Sequence, residues 1–229
     1  MTALLALVAL QQVMPFKASF DYSGMPIFVG ADTGSLSILS HSVTLDIDHK
    51  TAHVKTVTQL KNLTNQPLTL TVVLPRRRMS DPKAGPPSFG VTATMSGADL
   101  RVTQVGPPTS SRPDAQDRVR YANDSQTTIT LSPMATSGFF VSYEVPLGKN
   151  GADQKMRNAG YALGGKLPIG QLQISYRIAK GVAFDLPTAA PKLGWQISTT
   201  GAFARVNNYQ PHNETTWLFF YPSGFNDIG

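Results

Sequence analysis

Residues 43–75 constrain the fold of this chain more than any other stretch of its sequence. The apolar side chains of Val43, Leu45 and Ile47 alternate there with polar ones. Successive side chains of a β-strand point to opposite faces of a sheet, so this alternation predicts a strand with one buried and one exposed face. Polar clusters at residues 48–50 and 62–67 indicate turns, and Pro75 ends the stretch. We therefore predict two or three antiparallel strands here.

Five later segments combine β-branched, aromatic and alternating apolar residues, which also favours strands. They are residues 127–131, 138–147, 171–178, 194–200 and 215–221. Residues 91–105 alternate more weakly and suit a hairpin. Three segments rich in Pro, Gly or polar residues, 76–90, 106–120 and 148–170, are predicted to be long loops. The chain is thus predicted to be all-β, an antiparallel β-sandwich of about eight short strands.

The composition fits a globular body and excludes several chemistries. The chain has 229 residues, of which 41% are hydrophobic and 15% charged, so it can bury a core without cross-links. It contains no cysteine, which excludes disulfides, cysteine-ligated zinc, iron–sulfur clusters and thiol nucleophiles. We predict a single β-sandwich domain over residues 19–229. A domain boundary within the polar stretch 106–120 is the alternative.

The N-terminal residues bear on the location of the protein. Residues 3–10 (ALLALVAL) form an unbroken apolar run. It is too short to cross a bilayer, which takes about 20 residues, but it fits the apolar core of a secretory signal. No Lys or Arg precedes the run, and a first buried strand or short helix is the alternative. We predict a signal-like segment over residues 1–18, a periplasmic or extracellular location and no transmembrane span.

Positive charge predominates in the chain. The net charge is +6 and the isoelectric point is about 9.6. Arg76, Arg77 and Arg78 directly follow Pro75 and are the candidate anion-binding residues. Such a basic run favours an anionic polymer or an envelope protein as partner, without a signal for specific nucleic acid recognition. The alternative is that these charges only solvate the surface.

Aromatic residues are frequent toward the C-terminus. Trp195, Tyr209 and Trp217 are the candidate members of an aromatic surface that would contact sugars or partner peptides. The alternative is that these residues belong to a core strand and its flanks, which is the more ordinary role of an aromatic cluster.

Residues 160–166 (GYALGGK) match the spacing of a phosphate-binding loop. That mechanism needs Ser or Thr after the lysine to bind magnesium, and a helix to follow. Here Leu167 follows, and then Pro168 and Gly170, which oppose a helix. Nucleotide binding is therefore not predicted, and no cofactor is predicted for the chain.

The histidines and glutamates offer weak signals for catalysis or metal binding. His41, His49, His53 and His212 show no recognised ligand spacing and are expected to be exposed in turns, so no metal site is predicted. No G-x-S-x-G motif is present. Glu144 and Glu214 are the two glutamates in the chain and the candidate pair for a glycoside hydrolase, with Glu144 on the outward face of its strand.

Residues 62–68 spell Asn-Leu-Thr-Asn-Gln-Pro-Leu, and the strand after them ends in Val73-Leu74-Pro75. This combination resembles the vault/inter-alpha-trypsin type of β-sandwich domain and similar bacterial secreted families of unknown function. The resemblance covers a small part of the chain. It implies a β-sandwich and, because those families lack an established catalytic site, no catalytic residue. Arg76 departs from the pattern, in which an apolar residue is more usual after the proline.

These observations favour a non-enzymatic, exported β-sandwich that acts as a binding or assembly module of a bacterial cell envelope. One alternative is an envelope polysaccharide-active hydrolase that uses Glu144 and Glu214. Another is a structural subunit of a surface fibre or layer, which the unpaired edge strands of a sandwich would permit. Homo-oligomerisation is compatible with the binding and fibre alternatives.

Overall fold

The computed structural model describes residues 20–80, 83, 85–87, 90–114, 117–149, 155–186 and 193–222. These residues form twenty β-strands in three sheets, which we name A, B and C, and include no α-helix. The prediction of an all-β chain is confirmed. The signal-like segment predicted at residues 1–18 lies outside the described residues and stays a prediction.

Sheet A consists of eight strands: β1 (Phe20–Gly24), β6 (Arg76–Ser80), β10 (Thr109–Ser110), β11 (Val119–Ala122), β14 (Gly148–Lys149), β15 (Arg157–Leu163), β17 (Phe184–Asp185) and β20 (Glu214–Phe220). Their order is β10-β11-β6-β1-β15-β20-β17, and β14 pairs with β15. β1 runs parallel to β15, with Tyr22 opposite Gly160, and antiparallel to β6. β1 thus bonds to two strands from later parts of the chain.

Sheet B is the smallest sheet. It consists of β2 (Ile27–Val29), β5 (Leu68–Leu74), β9 (Thr103–Gln104) and β12 (Ser125–Leu131), in the order β2-β5-β12-β9. All of its neighbouring strands are antiparallel. The short strand β2 therefore lies at one edge of the sheet.

Sheet C consists of eight strands: β3 (Leu36–Ile47), β4 (Thr51–Asn62), β7 (Val91–Met95), β8 (Ala98–Leu100), β13 (Thr136–Pro146), β16 (Ile169–Arg177), β18 (Gln196–Ser198) and β19 (Gly201–Tyr209). Their order is β18-β19-β16-β3-β4-β13-β7-β8. β3 and β16 are parallel, with His41 opposite Leu172, and the other neighbours are antiparallel.

The architecture differs from the predicted sandwich of about eight antiparallel strands. It has three sheets and two parallel pairs. Four strands, β6, β10, β14 and β15, lie within segments that the sequence predicts to be loops, and β6 and β15 are the longest of them. β6 begins with three arginines and β15 contains small and polar residues, so neither shows apolar alternation. Both are strands because strands on each side hydrogen-bond to their backbones.

Sheet C packs against sheets A and B through one continuous hydrophobic cluster. In β13, Phe139, Val141 and Tyr143 are buried at alternate positions, as their spacing predicts. The Phe139 ring meets Phe28 of β2 edge-on, with 6.3 Å between the ring centroids. Sheet C therefore contributes one face to the core and leaves the opposite face to solvent.

Three side-chain hydrogen bonds join sheet C to sheet A inside this core. The pairs are His41–Tyr161, Tyr143–Ser23 and Tyr176–Thr216. Apolar packing alone is not directional, whereas hydrogen bonds require a defined geometry. These bonds therefore fix how the two sheets lie against each other.

His41 is buried in the core, in contrast to the prediction of an exposed histidine. Its Nδ1 lies 2.9 Å from Thr58 Oγ1, and its Nε2 lies 2.9 Å from the Tyr161 hydroxyl. The His41 and Tyr161 rings are stacked. Burial lowers the pKa of His41 to about 3, so the imidazole is neutral at pH 7. One ring nitrogen donates a hydrogen bond and the other accepts one.

Asn62 stabilises the turn at residues 62–67, where the sequence resembles the vault/inter-alpha-trypsin domains. Its side chain is fully buried; Nδ2 donates to the backbone oxygens of Gln66 (2.8 Å) and Ser132 (3.0 Å). Its Oδ1 accepts from the Thr64 backbone N–H and hydroxyl. Asn62 thus joins the turn after β4 to the turn after β12.

Strands before and after residues 106–120 pair with each other. β4 bonds to β13, β5 bonds to β12, and β10 lies within this stretch as part of sheet A.

In the part of the chain that the structure describes, no helix has the length and apolar character needed to cross a membrane.

Candidate functional site

The three consecutive arginines occupy different environments in β6. Arg76 is 7% exposed; its Nε donates to the Asn123 backbone oxygen at 2.9 Å, and its guanidinium also bonds to Ser125. Burial lowers the pKa of Arg76. Arg77 and Arg78 are half-buried, and Arg77 pairs with Asp124. Arg76 therefore has a structural role, and anion binding by the triplet stays a prediction that rests mainly on Arg77 and Arg78.

The three aromatic residues predicted to share a surface lie in separate places. Trp217 is half-buried in β20, beside Tyr22 of β1. Trp195 precedes β18 and packs against Tyr176, with 5.9 Å between ring centroids. Tyr209 is buried at the end of β19. The structure does not bring these residues together: Trp217 is in sheet A, whereas Tyr209 in sheet C and Trp195 before β18 contact the core.

Trp217 instead covers a glycine in the neighbouring strand. Gly160 lies directly opposite it in the register of β15 and β20. A Cβ atom at position 160 would lie only 2.3 Å from the Trp217 ring, so the indole occupies the space that a side chain would take. Tyr22 lies opposite Gly160 on the other side and meets Trp217 edge-on at 5.6 Å. This arrangement is packing between neighbouring strands.

A row of ionisable side chains crosses the outer face of sheet C. Arg177, Asp46, His53 and Glu144 lie opposite one another on four adjacent strands. His53 Nδ1 lies 3.1 Å from Glu144 Oε1, its Nε2 lies 3.5 Å from Asp48 Oδ2, and Arg177 Nη1 lies 3.7 Å from Asp46 Oδ1. The open groove beside this row has a volume of about 730 Å³. These exposed groups pair with each other, and water screens such pairs, so each pair contributes little to stability.

The two glutamates of the hydrolase alternative are not brought together in one described cavity. Glu144 lies beside His53 on the outer face of sheet C, as the alternation predicts. Glu214 begins β20 in sheet A and accepts a hydrogen bond from the Tyr209 hydroxyl at 2.7 Å. Burial, together with this bond, raises the pKa of Tyr209. Among the residues that the structure describes, no group of three His, Asp or Glu side chains is placed to hold a metal ion.

The phosphate-loop spacing at residues 160–166 has a structural explanation. Its first residues belong to β15, and Gly164, Gly165 and Lys166 form the connection to β16. Gly165 has a φ of +112°, which favours glycine there. A strand follows the motif where a phosphate-binding loop requires a helix, so residues 160–166 do not have the structure of such a loop.

This Gly-Gly-Lys connection forms one wall of a pocket of about 520 Å³, which we call the β2 pocket. The segment around β2 also lines this pocket. The lining residues are Met25, Pro26, Ile27, Phe28, Val29, Gly30, Ala31, Ile38, Gly164, Gly165, Lys166, Leu167 and Asn213. The volume and the mainly apolar lining are those of a small-molecule site.

The deep part and the rim of the β2 pocket differ in how far their side chains are exposed to solvent. Met25, Phe28 and Leu167 are at most 8% exposed, whereas Val29 at the rim is 50% exposed. The polar side chains that line it are those of Lys166 and Asn213. Sequence reasoning missed this site because its lining comes from four separate parts of the chain: residues 25–31, Ile38, residues 164–167 and Asn213. The weak glycine-lysine motif was the one signal that pointed to part of it.

Comparisons with known proteins bear on the fold. No family model and no curated protein matches the chain. A solved structure of a Legionella pneumophila protein proposed to bind nutrients is similar over 89% of this chain and 72% of its own, with a TM-score of 0.57 and 11% sequence identity. At that identity the likeness shows a shared fold.

Structures of an M1 zinc metallopeptidase from Deinococcus radiodurans also match over 81% of this chain, with 9% identity and a TM-score of 0.42. This chain spans 42% of the peptidase, and the likeness is too low to carry an argument. The sequence resemblance to vault/inter-alpha-trypsin domains stays a prediction.

Proposed function

We propose that this chain is a non-enzymatic binding module that takes a small, largely apolar ligand into the β2 pocket. The observation that carries the proposal is the pocket itself: about 520 Å³, with buried apolar side chains in its depth and two polar side chains among its lining residues. Such pockets are the usual binding sites of small molecules. The fold shared with a protein proposed to bind nutrients supports a binding role.

We further propose that the module is exported and works at a bacterial cell envelope. The support is the apolar run at residues 3–10, which fits a secretory signal. Expression of residues 1–229 and of residues 19–229 in a Gram-negative host, followed by fractionation, tests this part. We expect the longer chain in the periplasm or medium and the shorter chain in the cytoplasm. Equal distribution of the two chains would contradict export.

The binding proposal is tested with a neutral apolar probe. We expect 1-octanol to shift the amide NMR signals of residues that line the β2 pocket, in a saturable way. Val29→Trp should weaken this binding at least tenfold because the indole would occupy the mouth of the pocket. Val105→Trp is the matched control, since Val105 is 43% exposed and does not line the pocket.

Both variants should keep the melting temperature of the parent protein, because both positions are exposed. The proposal fails if octanol produces no saturable shifts, or if the shifts lie away from the pocket. It also fails if Val29→Trp binds octanol as well as Val105→Trp does.

A further inference from the structure

The charged groups at the β2 pocket are unevenly distributed. Among its described lining residues, Lys166 is the single charged side chain, and it is exposed at the rim. Lys166 forms no ion pair with any described residue. Asn213 lies on the same wall, where a Cβ at Gly164 would come 3.3 Å from Asn213 Oδ1. The polar end of the pocket therefore offers an ammonium group and a side-chain amide as hydrogen-bond donors.

Two carboxylates near the pocket in sequence are engaged elsewhere. Asp32 follows the lining residue Ala31, and its Oδ1 accepts from the backbone N–H groups of Gly34 at 3.0 Å and Ser35 at 2.8 Å. Glu214 follows Asn213 and accepts from the Tyr209 hydroxyl. Neither carboxylate lines the pocket or forms an ion pair with Lys166. Among the residues that the structure describes, no carboxylate therefore pairs with Lys166.

The apolar side chains deep in the pocket determine the chemistry of the other part of the ligand. Met25, Phe28 and Leu167 are buried side chains without a polar group that could pair with a ligand. A bound molecule must thus place an apolar body in the depth and its polar group at the rim. Partial removal of water there strengthens a charge-assisted hydrogen bond relative to one on an open surface.

We infer that the ligand of the β2 pocket is an organic anion with a carboxylate head and an aliphatic tail. This inference rests on the proposed function, since it assigns the ligand class of the same pocket. The carboxylate lies between Lys166 Nζ and the Asn213 amide, and the tail lies along Phe28 and Leu167. The overall charge of +6 assists the approach of an anion.

The test compares three probes of one chain length by calorimetry: octanoate, 1-octanol and octylammonium. We expect octanoate to bind about tenfold more tightly than octanol, and octylammonium to bind least. Lys166→Gln should reduce octanoate affinity roughly five- to tenfold without changing octanol affinity, and Lys166→Arg should retain most of it. Raising the salt concentration should weaken the binding of octanoate alone.

The outcomes separate this inference from the proposed function. If octanol and octanoate bind equally and Lys166→Gln changes neither, the pocket binds apolar molecules without charge selection, and the inference is wrong while the proposed function stands. If no probe binds to the β2 pocket, both are wrong. Lys166→Gln melting like the parent protein would show that the change in affinity is not a folding defect. Lys180→Gln, which removes another exposed lysine outside the pocket lining, is the matched control.

Discussion

The buried imidazole of His41 predicts a specific dependence of stability on pH. Burial lowers its pKa to about 3 in the folded chain, against about 6.5 in the unfolded chain. Below pH 6.5 the unfolded state takes up a proton that the folded state does not. The free energy of unfolding therefore falls as pH decreases, from about pH 6.5 until the folded-state pKa is reached. Above pH 6.5 this contribution is fully present.

The magnitude follows from the difference between the two pKa values. Each pH unit within that window costs about 1.4 kcal/mol, so lowering the pH from 6.5 to 5 costs about 2 kcal/mol through this one group. His41→Gln keeps a neutral polar side chain between Thr58 and Tyr161 but cannot be protonated. We expect the variant to be less stable than the parent at pH 7.5, because a glutamine amide cannot reproduce both ring hydrogen bonds.

Urea unfolding at pH 7.5, 6 and 5 measures this effect. Other groups titrate in both proteins, so their contributions cancel in the difference between parent and variant. Between pH 7.5 and pH 5, the free energy of unfolding of the parent should fall by about 2 kcal/mol more than that of His41→Gln. Parallel pH profiles would refute the assignment of a neutral, buried His41, as would an NMR titration that gives His41 an ordinary pKa.

Three further predictions concern packing and buried polar groups. Asn62→Ala should lower the free energy of unfolding in urea by roughly 3 kcal/mol, because it leaves buried backbone groups unpaired; a loss below 1 kcal/mol would contradict this. Arg76→Gln should lower the free energy of unfolding by about 3 kcal/mol, and Arg78→Gln should lower it by less than about 1 kcal/mol. Equal melting temperatures of the two variants would show that Arg76 has no structural role. Gly160→Ala should cost about 1–3 kcal/mol by displacing the Trp217 ring, and a double-mutant cycle with Trp217→Ala should show strong coupling; additive effects would exclude that contact.

The sequence predicts the inner strands of sheet C well. In β3 and β13, one face is buried against other sheets and the opposite face is exposed to solvent. Apolar and polar residues therefore alternate in the sequence around Val43 and Val141. β6 and β15 escape prediction because their strand conformation depends on hydrogen bonds to distant neighbours. The parallel pairs leave no local turn signal, since their strands are not joined by hairpins.

The candidate site is even less visible in the sequence. The arginine triplet stands out by its charge, but Arg76 is buried and Arg77 is not, and the partners that hold Arg76, Asn123 and Ser125, are more than 40 positions away in the sequence. The β2 pocket has both Phe28 and Leu167 in its lining, and only the assembled sheets bring these distant residues to one pocket. Individually, a glycine-lysine turn and a short apolar segment are common features of many loops.

The hydrogen bonds that join sheets A and C also bear on when the chain can fold. His41 and Tyr161 are 120 positions apart, and so are Ser23 and Tyr143. β1 and β3 must each wait for a parallel partner, β15 or β16, that leaves the ribosome much later. Contacts this distant in sequence slow the folding of β-proteins. A nascent chain that stops before β15 would still lack a central strand of sheet A, so the final structure forms only after β15 and β16 have been synthesised.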